Sequence, residues 1–394
     1  MKAACAAGGV EECRRLLERK RDKWKNLPLN VAVTGKADAG KSFFINAMRG
    51  LTADDKGATK VGTSITTMKP RSYPHPDNPK LLFWDLPGVG TDKFPRETYL
   101  TDIDVDRYDF FLLITDTRFM ENDAWLGKEF SKRNKKYFFV RTKTEQDITS
   151  DRKAHPKTHN EKAVIKRIRE STTQILREHG LDDVPVFLID NYKPTKFDFK
   201  RLKHQLIKDF PILKKSALIL SLRADNEQMI RLKVSALRSR IWKAAALSGA
   251  AMAIPVPGIA MTVDMVIVTR EAMFYLKQLG LDDESLRRYA DDYSVDYNKL
   301  KSTVRRALGI NASGAVTDED MTTALRKLIL RHASTLKSTS AKVELKSLPL
   351  IVSLIAAPLS FAGTYATLKL ILDNFEQVAI DVWKCVVESM ADAQ

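Results

Sequence analysis

Gly35 to Ser42 reads GKADAGKS, directly after the apolar, β-branched run Asn30–Thr34 and directly before Phe43-Phe44-Ile45-Asn46-Ala47-Met48. The first run has the pattern of a buried strand and the second that of a helix's opening turns. The spacing is G-x-x-x-x-G-K-[ST], and strand, loop and helix follow in the order a phosphate-binding loop requires. Gly35 and Gly40 let the backbone turn and bring its N–H groups close to phosphate oxygens. Asp38, Ala39 and Phe43 complete the stretch that lines the phosphates. Lys41 supplies a point charge for the β- and γ-phosphates, and the Ser42 hydroxyl can ligate Mg²⁺. The helix that follows points its positive N-terminus at the same anion. A plain glycine-containing turn shows similar letters, but not the flanking strand and helix.

Outward from this loop, the runs Asn30–Thr34, Lys80–Trp84, Phe110–Ile114, Tyr137–Arg141 and Val184–Ile189 alternate with amphipathic stretches up to Phe210. This predicts an α/β domain with a mostly parallel sheet and helices on both faces. Ligands in such sheets sit at the carboxyl ends of the strands. Phe83-Trp84-Asp85-Leu86-Pro87-Gly88 gives D-x-x-G after a strand. Asp85 is placed to hold Mg²⁺ through water, and the Gly88 N–H to sense the γ-phosphate, which makes the next loop a switch. Thr63-Ser64-Ile65-Thr66-Thr67 offers a threonine to close over Mg²⁺; Thr67 is chosen from its position before the next strand, with Thr63 and Thr66 as alternatives. After the Tyr137–Val140 strand, Thr142-Lys143-Thr144-Glu145 matches [NT]-K-x-D with glutamate in the last place. Its carboxylate can accept from guanine N1 and the exocyclic amine, while the Lys143 stem packs on the base. Asp147, two residues late, is the alternative acceptor. The last strand leads into Asp190-Asn191, where a side chain or backbone N–H meets guanine O6. Four ordered elements point to GTP or GDP with Mg²⁺, and to guanine over adenine.

From Pro211 onward the pattern holds no convincing strand. Helical stretches run through Leu213–Lys243, Thr262–Gly280, Asp283–Asp292, Asp296–Gly309, Asp318–Thr339 and Thr364–Asp392, and residues 10–27 read as a further helix. The predicted organisation is an N-terminal helical segment (1–28) packing with the helical half, a nucleotide-binding domain (29–211) and an all-helical domain (212–394). Two apolar stretches stand out, Ala244–Val268 and Leu348–Gly363. A spanning helix needs about 20 uninterrupted apolar residues. Pro255, Pro257, Gly258 and Asp264 interrupt the first stretch, and Pro349 and Pro358 the second. They read as hydrophobic helical hairpins, buried in the helical domain or able to contact membrane.

With 394 residues, 44% hydrophobic and 29% charged, the composition is that of a folded protein of about two domains. Lysine and arginine number 65 against 49 acidic residues, a net charge of +16, which favours an anionic partner: nucleotide, nucleic acid or anionic lipid. Cys5, Cys13 and Cys385 show neither metal-ligand spacing nor a disulfide framework, as expected of a reducing cytosolic protein. Neither a signal peptide nor, with lysine at position 2, N-myristoylation is expected.

GKADAGKSFFINAMRGL, FWDLPGVGT and VRTKTEQDI together resemble the immunity-related GTPases, the interferon-inducible dynamin-like family. RSYPHPDNPKLLFWDLPG is similar to that family's switch region, and AAALSGAAMAIPVPGIAMTVD to its helical-domain hairpin. The resemblance covers nearly the whole chain. It implies a Ras-like G domain between N- and C-terminal parts of a helical domain. It also implies GTP-dependent self-assembly, slow hydrolysis accelerated on assembly, and recruitment from the cytoplasm to endoplasmic reticulum or pathogen-vacuole membranes. Lys41 matches the branch with lysine, rather than methionine, in the phosphate loop. Glu145 stands where the family has aspartate, Asp190-Asn191 where it has Ser-Asn, and Ile65 where some members carry a glutamate implicated in hydrolysis.

The expected reaction is GTP + H₂O → GDP + phosphate. Lys41, Ser42, Thr67 and Gly88 would act at the reacting phosphate, and Ser42, Thr67 and Asp85 around Mg²⁺. Gly35, Asp38, Ala39, Gly40, Lys41, Ser42, Phe43, Lys143, Glu145, Asp190 and Asn191 would hold the nucleotide. Val89 follows Gly88 where small GTPases such as Ras place a water-orienting glutamine, so hydrolysis is expected to be slow unless another group enters across a G-domain dimer. Expected partners are GTP, a second copy of the chain and an intracellular membrane surface, with no specific nucleic acid. A competing reading is a nucleotide-dependent scaffold that hardly hydrolyses. A basic nucleic-acid-binding ATPase would instead show salt-dependent oligonucleotide binding and prefer ATP.

Overall fold

The computed structural model describes residues 26–36, 38–60, 69–91, 93–116, 119–251, 259–308 and 358–392. The chain divides into two compact units, and it passes from one to the other after Ser221.

The first unit is built on six strands: β1 (Leu29–Thr34), β2 (Arg71–His75), β3 (Asn78–Asp85), β4 (Phe110–Thr115), β5 (Tyr137–Arg141) and β6 (Val186–Leu188). Their order is β2-β3-β1-β4-β5-β6. All pairs are parallel except β2 with β3, which form an antiparallel hairpin. Sequence pattern misses β2, because RSYPH is polar and carries Pro74. That proline is tolerated because β2 is an edge strand. The central strand β4 is buried at every position because both its faces are covered. From β4, Phe110 packs on Phe138 and Phe210, with ring centroids 4.6 and 6.3 Å away, while Phe111 stacks on Phe130 on the other face at 4.2 Å. The partners of β1 are β3 on one side and β4 on the other. Strand order therefore reverses at β1, and the loop after it opens at that reversal.

The helices of this unit are α1 (Lys41–Arg49), α2 (Arg96–Asp102), α3 (Glu121–Lys132), α4 (Thr144–Ala154), α5 (Glu161–Glu178), α6 (Phe199–Asp209) and α7 (Ile212–Ser221). Helix α7 belongs here, ten residues past the expected boundary at residue 211. The Lys214 ammonium lies 2.8 Å from Asp109 Oδ1, and Asn78 Nδ2 donates to Ser221 Oγ at 2.6 Å. The predicted single helix Leu213–Lys243 is thus two helices. Asn226 ends the break by accepting the Met229 N–H at 2.9 Å, a cap that starts the next helix.

The second unit is helical: α8 (Glu227–Ala251), α9 (Ile259–Gln278), α10 (Asp283–Tyr293), α11 (Tyr297–Leu308) and α12 (Pro358–Asp392). Helix α12 lies along α8, where Arg238 reaches Asp373 at 2.8 Å and Glu376 at 3.1 Å. Between α8 and α9 a buried ion pair joins Arg240 to Glu271 at 3.6 Å. Pro358 opens α12 instead of breaking it, since the first helical position needs no N–H. Among the described residues no helix is long and apolar enough to cross a membrane. Most of the predicted N-terminal helix, the helix Asp318–Thr339, and Cys5, Cys13, Pro255, Pro257, Gly258 and Pro349 lie outside the described residues.

Candidate functional site

The loop after β1 turns at Gly35 with φ 137°, and a Cβ there would collide with the Ile114 carbonyl of β4. Asp38 and Gly40 are left-handed at φ 62° and 87°, and α1 starts at the next residue. Lys41 folds back over the loop and donates to the carbonyls of Gly35 (3.1 Å) and Lys36 (2.8 Å). Burial holds its ammonium below the usual lysine range, with the carboxylates of Asp85, Asp38 and Asp123 partly offsetting this. A buried cation facing carbonyl dipoles at a helix N-terminus is a site for an anion. Ser42 Oγ donates to Asp85 Oδ2 at 3.3 Å. Hydroxyl and carboxylate oxygens side by side are the hard donors Mg²⁺ takes, so these residues fit that ion.

Asp85 ends β3, and the next residue ties back to β1 through Leu86 N to Val33 O at 3.0 Å. Val89 is 9% exposed and packs in the core, and its carbonyl accepts from Asn122 Nδ2 at 2.9 Å. Arg96 Nε in turn donates to Asn122 Oδ1 at 2.7 Å. Thr67, its alternatives Thr63 and Thr66, and Ile65 lie outside the described residues. The chain leading toward them is pinned to α1. Thr59 N donates to Asn46 Oδ1 at 2.8 Å, and Thr59 Oγ1 to the Ser42 carbonyl at 2.7 Å.

The base motif sits beside the phosphate loop. The Thr142 hydroxyl lies 2.8 Å from Ala39 O and 3.1 Å from Thr115 O, sharing its proton between them. Lys143 is left-handed at φ 59° and its ammonium is 3.4 Å from Asp116 Oδ2. Lys36 of the phosphate loop meets Asp116 Oδ1 at 2.7 Å. One buried carboxylate at the carboxyl end of β4 therefore joins the phosphate loop to the base motif. Sequence reading missed Asp116 because it belongs to no spaced motif. The available signal was an acid immediately after an all-apolar strand.

The two carboxylate oxygens of Glu145 are bound by Lys193 and Lys196, at 2.8 and 2.9 Å. The Lys193 bond, with Lys196 beside it, holds this carboxyl below its usual range. The Glu145 backbone N–H reaches Asp190 Oδ2 at 3.3 Å, and Asp190 Oδ1 accepts from Tyr192 N at 3.0 Å. Asp147, the alternative acceptor, has one carboxylate oxygen 2.6 Å from Arg141 Nη2. Asn191 Nδ2 donates to the Gly40 carbonyl at 3.1 Å, while its Oδ1 is buried with no hydrogen-bond partner among the described residues. Such an acceptor is satisfied by a ligand that brings a donor. Phe43 packs against Tyr192, with ring centroids 5.2 Å apart.

Asp123, on α3 behind Lys36 and Asp116, accepts the Met120 N–H at 2.9 Å. Burial pushes its carboxyl up to about 6, against the Met120 bond and Lys36, and Asp116 adds to the rise. The folded value lies above the unfolded one. Its contribution to stability is therefore complete below about pH 4 and is lost as pH rises through about 6. Asp123→Asn keeps an acceptor for Met120 without the charge. Relative to the parent it is expected to gain about 1–3 kcal/mol above neutrality and nothing near pH 4. Thermal melts of both proteins across this range check the crossover.

A phosphate loop at the strand-order reversal, D-x-x-G at the end of β3 and T-K-x-E after β5 define a P-loop GTPase. The family model described as "Interferon-inducible GTPase (IIGP)" matches residues 2–349. Interferon-inducible GTPase 5 of Rattus norvegicus is 33% identical over 96% of this chain and 80% of its own length. T-cell-specific guanine nucleotide triphosphate-binding protein 2 of Mus musculus is 38% identical over 71% of this chain and 68% of its own. The G domain of the T. maritima FeoB iron transporter is 18% identical, with a TM-score of 0.26, over 46% of this chain and 97% of that one. That score is too low to add to the strand order. The chain belongs to the interferon-inducible GTPase family, the immunity-related GTPases, and hydrolyses GTP.

Proposed function

We propose that this GTPase turns over as an assembly: GTP binds with Mg²⁺ in the site described, two G domains associate, and hydrolysis depends on their contact. The observation that carries this reading is Val89. Its side chain is buried and its carbonyl is held by Asn122, so the position after Gly88 offers nothing to orient water. A group must be brought to the site, and a second copy is the simplest source. Within one chain, Lys41 places positive charge against the β- and γ-phosphate oxygens, and the Gly88 N–H meets the γ-phosphate. Ser42 would hold Mg²⁺ directly and Asp85 through water, with Thr67 as the third group. Bound there, the ion neutralises charge on the phosphate oxygens.

The net charge of +16 supports peripheral attachment to an anionic membrane surface. We place this at the endoplasmic reticulum or a pathogen vacuole, reached from the cytoplasm, in cell-autonomous innate immunity. Single- and multiple-turnover hydrolysis over a hundredfold protein range tests the assembly step. Specific activity is expected to rise with concentration. A flat specific activity with measurable turnover removes the requirement for a second copy. Tight binding without turnover at any concentration moves the reading to a nucleotide-dependent scaffold, which the buried Val89 also favours.

A further inference from the structure

One buried hydroxyl joins the two loops that meet the phosphates. Tyr99, on α2 and fully buried, places its OH 2.7 Å from the Pro87 carbonyl and 2.9 Å from Thr34 Oγ1. A carbonyl only accepts, so the single phenolic proton goes to Pro87 and the Thr34 hydroxyl donates to the phenol oxygen. Thr34 immediately precedes Gly35 of the phosphate loop, and Pro87 immediately precedes Gly88. Phe94 and Trp125 hold the Tyr99 ring edge-on, each with its centroid 6.5 Å away, so packing fixes where the hydroxyl lies. The peptide unit is planar and trans, and its C=O and N–H point in opposite directions. Holding the Pro87 oxygen therefore sets the direction of the Gly88 N–H.

We propose that Tyr99 is a positioning residue for γ-phosphate recognition, its hydroxyl setting the Pro87–Gly88 peptide plane and tying it to the end of β1. This rests on the reading of Gly88 as the γ-phosphate donor. GDP has no γ-phosphate and does not draw on that contact. Loss of the hydroxyl should therefore weaken GTP and spare GDP, whereas a purely structural role would affect both alike.

Tyr99→Phe keeps the ring and removes both bonds. Its affinities for GDP and for a slowly hydrolysed GTP analogue are measured by titration, and GTP hydrolysis by single turnover. GDP affinity is expected to stay within about twofold, while analogue affinity falls about five- to tenfold and the single-turnover rate falls with it. Thr34→Val leaves the Pro87 bond in place. It is expected to lower the melting temperature without changing the analogue-to-GDP ratio. Equal weakening of both nucleotides by Tyr99→Phe, or the same change of ratio in both variants, overturns the proposal. If the phenylalanine variant does not fold, 3-fluorotyrosine at position 99, a stronger donor, is expected to raise the ratio; an unchanged ratio counts against the role. Gly88→Pro, which lacks the N–H, separates the two readings. If it leaves the ratio unchanged, the Gly88 reading fails. If it lowers the ratio and Tyr99→Phe does not, only the positioning role fails.

Discussion

Lys41→Met is expected to abolish measurable GTP turnover and to cut nucleotide affinity by about two to three orders of magnitude, without making the nucleotide-free protein less stable. The two outcomes have opposite physical origins. With nucleotide bound, the ammonium faces phosphate oxygens in a closed site. Removing one partner of such a pair costs about 2–5 kcal/mol, because the other charge is left poorly compensated. Without nucleotide, the Lys41 ammonium is buried and satisfied by two backbone carbonyls, and burial has already shifted it toward the neutral form. An apolar side chain of similar length removes that desolvation cost. Calorimetric titration with GDP and melting with and without nucleotide read the two effects separately. A variant that loses affinity and also melts well below the parent would mean that Lys41 organises the loop itself. Its bonds to Gly35 and Lys36 would then matter more than its charge.

The parts of this site that were legible in the sequence are those whose chemistry is local to a few residues. A phosphate loop works through successive backbone amides, so its glycines and lysine must stand at fixed spacing. The same holds for Asp85 and Gly88 on one turn, and for Thr142 and Lys143 after β5. The parts that were hidden are pairings between residues far apart in the chain. Asp116 meets Lys36 and Lys143, and Tyr99 meets Thr34 and Pro87. Glu145 meets Lys193 and Lys196, 48 and 51 residues on. No periodicity reports which lysine will fall opposite which acid. The fold shows the same division. Strands covered on both faces announce themselves as apolar runs, while β2, a proline-bearing edge strand, does not. Amphipathic period alone ran across the break between α7 and α8, because the stop there comes from one side chain, Asn226, capping a new helix.

Glu145→Ala is expected to lower GTP affinity by about 10- to 100-fold and to reduce the preference for GTP over xanthosine triphosphate further. Guanine presents two donors to this position, N1–H and the exocyclic amine. Hydrogen bonds to a charged acceptor contribute about 1.5–3 kcal/mol each. The Glu145 carboxylate already accepts from Lys193 and Lys196, so binding exchanges bonds as well as adding them, and the net loss falls toward the lower end of that range. Xanthine carries a carbonyl oxygen in place of the amine. Once Glu145 is gone, the two lysines remain as donors, and a base that presents an acceptor gains what guanine loses. The triphosphate contacts at Lys41 and Ser42 are untouched, so total binding is retained for the modified base. Competition between the two nucleotides on parent and variant gives the ratio directly. An unchanged GTP affinity would move the acceptor role to Asp190, whose carboxylate lies 3.3 Å from the Glu145 N–H. Asp190→Asn should then produce the loss that Glu145→Ala did not.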